Sequence, residues 1–167
     1  IMFAYRLTST AAITVPAGWT TFYAASIGSE YFVVAYRFAT ANNHTSGTWT
    51  NATRLTCGSY TGVRVATPLG HRVTTGNAFA YTTPFPALTL SVTDGTSWVL
   101  LSGGLGTTGI FTPPTGFTER SDIGVSIADS NGGLSSFGGA TGSISGFTDL
   151  VITSIELIAE PPPILGT

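Results

Sequence analysis

The chain has 167 residues, six basic and eight acidic side chains and a formal net charge of −2, with 43% hydrophobic but only 8% charged residues. Such a hydrophobic share excludes a disordered chain, and the missing basic stripe argues against nucleic acid as a partner. The single cysteine, Cys57, excludes an intrachain disulfide framework and any cysteine-built zinc site.

A domain of this length buries a real core. With so few charges its polar surface has to come from Ser, Thr, Asn and Gly, which suits a protein that stands against neighbours. All six basic residues are arginines. No run reaches the length of a membrane-spanning helix and no signal-peptide pattern is present, so no membrane partner is expected. Ile1 is not a start methionine, and the chain is read as beginning inside a longer gene product.

Along the chain, Phe3, Tyr5 and Leu7 alternate with Ala4 and Arg6, the period of a half-buried strand. Residues 12–15 form a short strand stopped by Pro16-Ala17-Gly18. Residues 19–26 are rich in aromatic and β-favouring types, and Gly28-Ser29-Glu30 makes a turn. Residues 31–39 are the strongest strand of the first half, apolar on both faces up to Arg37, as in the centre of a sandwich. Residues 40–47 are a polar loop. Residues 48–50, 53–57 and 60–67 continue the β pattern, with Val63 and Val65 on one face.

Short strands are predicted at 71–74 and 78–82, and Pro84 and Pro86 hold Phe85 to a sheet edge. Leu88, Leu90 and Val92 alternate with Thr89, Ser91 and Thr93. Asp94-Gly95 follows, then Trp98 to Ser102, which predicts a hairpin. Residues 103–109 read as a flexible loop and residues 129–141 as a Gly/Ser-rich loop anchored by Phe137. Ile144, Phe147, residues 150–152 and residues 154–159 close the domain. Pro161-Pro162-Pro163 leaves as an extended arm or linker. The prediction is one domain over 1–160 and a Pro-rich tail over 161–167.

No window holds helical spacing for long. Many short strands with Gly/Pro turns predict an all-β, two-sheet β-sandwich, jelly-roll-like, built from two weakly similar halves. The halves are marked by Pro16-Ala17-Gly18-Trp19-Thr20 and Pro114-Thr115-Gly116-Phe117-Thr118, both Pro-x-Gly-aromatic-Thr and both followed by an apolar strand. Pro16, Gly18, Trp19, Pro114, Gly116 and Phe117 are read as structural corners, with Trp19 and Trp98 in the core. Glu119 and Arg120 are read as an exposed or mutually paired edge.

Signs of chemistry are sparse. Gly104-Leu105-Gly106-Thr107-Thr108-Gly109 matches G-x-G-x-x-G, but Pro113-Pro114 forbids the helix that a dinucleotide site requires. His44 and His71, the only histidines, have no local signature. Glu30, Asp94, Glu119, Asp122 and Asp129 are scattered without a calcium-loop pattern, although Asp122 and Asp129 could sit near one another. No catalytic residue, metal or cofactor is predicted. Two glycosylation sequons begin at Asn43 and Asn51, with nothing else to indicate a secretory route. For sugar or surface contact, the candidates are Trp49, beside a polar loop, with Asn42, Asn43 and His44. Even for Trp49 the leading reading is the core, where aromatics at strand period usually sit.

The order of these pieces resembles a module of tailed-phage virion proteins. The residues that carry the likeness are Pro16-Ala17-Gly18-Trp19, Tyr36-Arg37-Phe38-Ala39 and Thr48-Trp49-Thr50. They continue with Ser97-Trp98-Val99-Leu100-Leu101, Pro113-Pro114-Thr115-Gly116-Phe117-Thr118-Glu119-Arg120 and the run from Gly139 to Gly142. The resemblance spans most of the chain. It implies a non-enzymatic, multi-copy virion protein on the particle surface, a capsid decoration or minor tail protein assembled in the bacterial cytoplasm. Its partners would be other virion proteins or further copies of itself. A glycan-binding adhesion module at the host surface is the second expectation. A polysaccharide or cell-wall hydrolase is the third, and its paired carboxylates would have to come from the five acids above.

Overall fold

A computed structural model describes residues 1–41, 45–105, 110–122 and 125–161. Their strands are β1 (Met2–Arg6), β2 (Thr20–Ile27), β3 (Glu30–Tyr36), β4 (Arg54–Cys57), β5 (Leu69–Phe85), β6 (Trp98–Leu105), β7 (Phe111–Thr112), β8 (Thr118–Asp122), β9 (Val125–Asp129) and β10 (Ala140–Leu157). No helix occurs among the described residues. One sheet has the order β2-β3-β1-β4; the other has β5-β10-β6-β9-β8, with the short β7 also on β10. Every pairing is antiparallel. The chain finishes the first sheet before starting the second. This two-sheet, all-β arrangement is the expected sandwich, although consecutive strands filling each sheet do not establish the jelly-roll refinement.

Strand alternation explains where the core lies. Phe3, Tyr5, Phe32 and Val34 of the first sheet meet Leu100, Val125, Ile127, Val151 and Ile155 of the second. The alternate residues Met2, Ala4, Val33 and Ala35 face outward, yet Ile13 and Trp49 cover them. On the far face of the second sheet, Val99, Leu101, Ala128 and Ile152 are covered by Phe85, Leu88, Leu90, Phe111, Phe137 and Ile144. The central strands of both sheets are therefore buried on two faces, which accounts for the near-continuous apolar runs in β3 and at the start of β6.

The duplication is visible in the fold. β1 lies between β3 and β4, with β2 at the edge; β6 lies between β9 and β10, with β8 at the edge. Each edge strand begins at a Pro-x-Gly corner closed by a backbone bond, Trp19 N–H to Pro16 C=O at 3.3 Å and Phe117 N–H to Pro114 C=O at 3.0 Å. Gly18 and Gly116 occupy the left-handed region at φ 83° and 88°, as the third residue of a type II turn must. Each edge strand then carries a register shift, between Thr21 and Tyr23 in one and between Glu119 and Ser121 in the other. Each corner aromatic also meets a second ring edge to face, Trp19 with Trp49 at 5.4 Å and Phe117 with Phe137 at 5.6 Å. A Cβ at Gly116 would meet nothing within 4 Å, so only backbone conformation opposes it. Gly116→Ala is expected to lower stability by about 1–2 kcal/mol in chemical denaturation.

Several local expectations are corrected. The hairpin over 87–102 does not form: β6 pairs with β9 and β10, while the preceding segment crosses the outer face, where Leu88 bridges to Phe137. Ser91 and Val92 direct their N–H groups to the Glu156 carboxylate, which removes them from any ladder with β6. Residues 60–67 hold only an isolated bridge at Val63, and Val65 is exposed. The two short strands predicted at 71–74 and 78–82 are parts of one strand, β5, which does lie at a sheet edge. Gly103 and Gly104 belong to β6, outside the predicted loop.

Gly104 is glycine because the Tyr5 ring lies against it. A Cβ there would stand 2.2 Å from Tyr5 Cδ1 and Cε1. Tyr5 is fully buried and stacked on Phe32 at 4.5 Å, so it cannot yield. Burial also holds its hydroxyl far above the ordinary phenol range. Gly104→Ala is expected to cost about 1–3 kcal/mol of stability, read as a lower urea midpoint with an unchanged slope.

Candidate functional site

The residues proposed for surface contact divide in two. Asn42, Asn43 and His44 lie outside the described residues. Trp49 is buried at 6% exposure, in line with the core reading and against its candidacy as an exposed sugar contact. Strand-like alternation does this: Thr48 and Thr50 face solvent, Thr50 bridges to Thr14, and Trp49 turns inward onto β1 and β3. Trp49 works as an anchor. Its Nε1–H donates to Ser46 C=O at 3.1 Å, and Trp19 Nε1–H donates to the same oxygen at 2.9 Å. Arg37 stacks over the Trp19 ring at 4.7 Å and donates to Thr45 C=O. Two indoles and a guanidinium thus fix the chain at 45–46, within the polar loop predicted over 40–47. Trp19 and Trp98 are half-buried, less enclosed than expected.

A cleft of about 370 Å³ opens beside β6 and β8, lined by Ser59, Tyr60, Thr61, Val63, Trp98 and Arg120 among others. A second hollow of about 410 Å³ continues from it across Tyr60 and Val63 toward Trp19 and Arg37. Tyr60 and Trp98 meet edge to face at 6.3 Å. Arg120, at the β8 bulge, pairs across to β9 and not with Glu119. Its Nε and Nη2 donate to Asp129 Oδ2 and Oδ1 at 2.7 and 2.9 Å, a fork-on-carboxylate geometry. Nη2 also donates to Asn131 Oδ1 at 2.8 Å. The fully buried Asp129 further accepts from Tyr60 O–H at 3.2 Å and Asn131 N–H at 2.9 Å.

These contacts shift the protonation equilibria in a consistent way. Hydrogen bonding to Asp129 holds the Arg120 guanidinium more firmly protonated. Burial first, and then the Asp129 charge, push the Tyr60 hydroxyl above the phenol range. Tyr60 therefore stays neutral, as a donor, throughout ordinary pH.

Three further acids are engaged in holding the chain. Glu156 sits in the middle of β10, fully buried on the outer face of the sheet. Its Oε2 accepts from His71 N–H at 3.2 Å and Ser91 N–H at 2.8 Å. Its Oε1 accepts from Val92 N–H at 3.0 Å and Ser97 O–H at 2.7 Å. Burial opposes the charge, but donation from Ser91, Ser97 and Val92 outweighs it and holds the carboxyl below its ordinary range. A Cβ on Gly70 would fall 2.0 Å from Oε2, so the carboxylate reaches these donors only past a glycine. Asp94 Oδ1 accepts from Thr96 N–H and O–H within its own turn, and Asp122 Oδ2 accepts from Phe111 N–H.

No family model, curated protein or solved structure matches the chain.

Asp122 and Asp129 do not converge. They fall at opposite ends of the β8–β9 hairpin, opposite Ser126 and Thr118 respectively. Among the described residues no group of three His, Cys, Asp or Glu side chains could hold a metal ion. The arrangement offers hydrogen bonding and ring contact at the cleft, and fixed loops elsewhere. Sequence reasoning missed the cleft because Tyr60 and Asp129 are far apart in the chain. It also missed Glu156, although a lone acid within the apolar run from Val151 to Ile158 was a visible signal.

Proposed function

We propose that the chain is a non-enzymatic structural protein displayed on the surface of a tailed-phage particle, as a capsid decoration or minor tail protein that packs against other virion proteins. The observation that carries this reading is the use made of four of the acids. Asp94, Asp122, Asp129 and Glu156 are all committed to backbone donors, hydroxyls or Arg120, so they serve architecture and not proton transfer. The resemblance of the corner motifs to virion modules supports the same reading. A low-charge, Ser/Thr-rich surface also suits it: contacts worth little singly become stable through repetition on a particle.

Quantitative mass spectrometry of gradient-purified particles tests this. The expected result is the chain present in many copies per particle, in fixed ratio to the major capsid or tail protein. Its recovery only in the soluble fraction of lysed cells would refute the proposal.

A further inference from the structure

We infer that the cleft between Tyr60, Trp98 and Arg120 is a binding site for a neutral saccharide. The inference stands on the cleft alone and does not depend on the particle reading. Three features select the ligand class. The first is aromatic surface: Trp98 and Tyr60, both half-buried, bring an indole and a phenol ring to one cleft at right angles. The apolar face of a pyranose stacks on such rings. The second is preorganised polarity. Arg120 is fixed by Asp129 and Asn131, while its side chain remains 38% exposed, and Ser59 and Thr61 line the same cleft. A planar donor group in a fixed position, with hydroxyl-bearing residues beside it, matches the hydroxyls of a sugar ring.

The third feature is charge. Asp129 is fully buried and neutralises the guanidinium at 2.7 Å. Among the described residues that line the cleft Arg120 carries the only ionised side chain, and its charge is already balanced. A phosphate or carboxylate would have to compete with Asp129 for Arg120, whereas a neutral polyol uses the remaining donor capacity without displacing the ion pair. The volume of about 370 Å³ lies at the small end of ligand sites, room for one or two sugar rings.

The test is titration of the ¹⁵N-labelled chain with glucose, galactose, mannose and N-acetylglucosamine, and with their disaccharides. A long-chain glucan is titrated separately, to distinguish free sugar from polysaccharide. Glucuronate and inorganic phosphate form the anionic arm. The expected result is saturable shifts of the Trp98 indole N–H, the Arg120 Nε–H and the amides of residues 59–63 by at least one neutral saccharide, with a Kd on the order of 1 mM. Thr61→Trp places a large ring at the exposed lip of the cleft without touching the core, and should weaken binding at least about tenfold. Trp98→Phe, with its melting temperature checked, should reduce binding while leaving the fold. Absence of shifts with every neutral saccharide, unchanged affinity in Thr61→Trp, or anions binding the same signals more tightly than neutral sugars would each overturn the inference.

Discussion

Replacing Glu156 with Ala is expected to lower stability by about 4 kcal/mol or more at neutral pH, because one buried carboxylate serves four donors and each stranded donor costs about 1–3 kcal/mol. Water reaching the part-buried N–H groups keeps the total below the simple sum. Against an overall stability of roughly 5–15 kcal/mol, such a loss decides whether the domain folds at all. The consequence is also local. Ser91 and Val92 lose their acceptor, so the segment that covers Val99 and Leu101 should detach first and exchange its amides faster.

The pH dependence follows from the same contacts. The folded-state pKa of Glu156 is depressed below the unfolded value of about 4.3. Its contribution is therefore fully present above that value and is lost as pH falls through the folded pKa. The urea midpoint of the native chain should exceed that of Glu156→Gln at pH 7, and the gap should narrow in acid. A gap that stays constant down to pH 2 would show that the charge of Glu156 is not what holds the segment.

Trp49→Ala is expected to cost about 3–5 kcal/mol, the range for removing a large buried aromatic. The side chain covers the outer face of β1 and β3, so its loss opens a cavity over Met2, Ala4, Val33 and Ala35. Ser46 C=O would keep only the Trp19 donor, and Trp19 would lose its edge-to-face partner. Limited proteolysis and hydrogen exchange should therefore report an opened backbone around 45–47. A surface residue would behave differently: were Trp49 a solvent-facing ligand contact, stability would change by less than about 0.5 kcal/mol. Trp19→Ala should cost less than Trp49→Ala, because Trp19 is only half-buried and its cation–π contact with Arg37 is near solvent.

What could be read from the sequence was what depends on near neighbours. The strand periods of β1 and β3, the two Pro-x-Gly corners and the Phe137 anchor all follow from local spacing, and all are present. Readings failed where a distant residue decides. Asp94-Gly95 signals a tight turn, and a turn is there, with Gly95 at φ 87°. Nothing local shows that Glu156 takes the N–H groups which a hairpin would have used. Gly103-Gly104 looks like a loop until the Tyr5 ring is placed against it. The alternation of Thr48, Trp49 and Thr50 points Trp49 to the core, where it lies, although its polar neighbours also made it the candidate for exposure. The Arg120–Asp129–Tyr60 network could not be read at all, since the segment after β4 meets β8 and β9 only through strand pairing and sheet stacking.

The most direct measurement of the central claim is cryo-electron microscopy of the intact particle. The account predicts surface density, repeated by the particle's symmetry, into which the sandwich of β2-β3-β1-β4 against β5-β10-β6-β9-β8 fits as a whole. A fully assembled particle whose density is accounted for without this sandwich would contradict it.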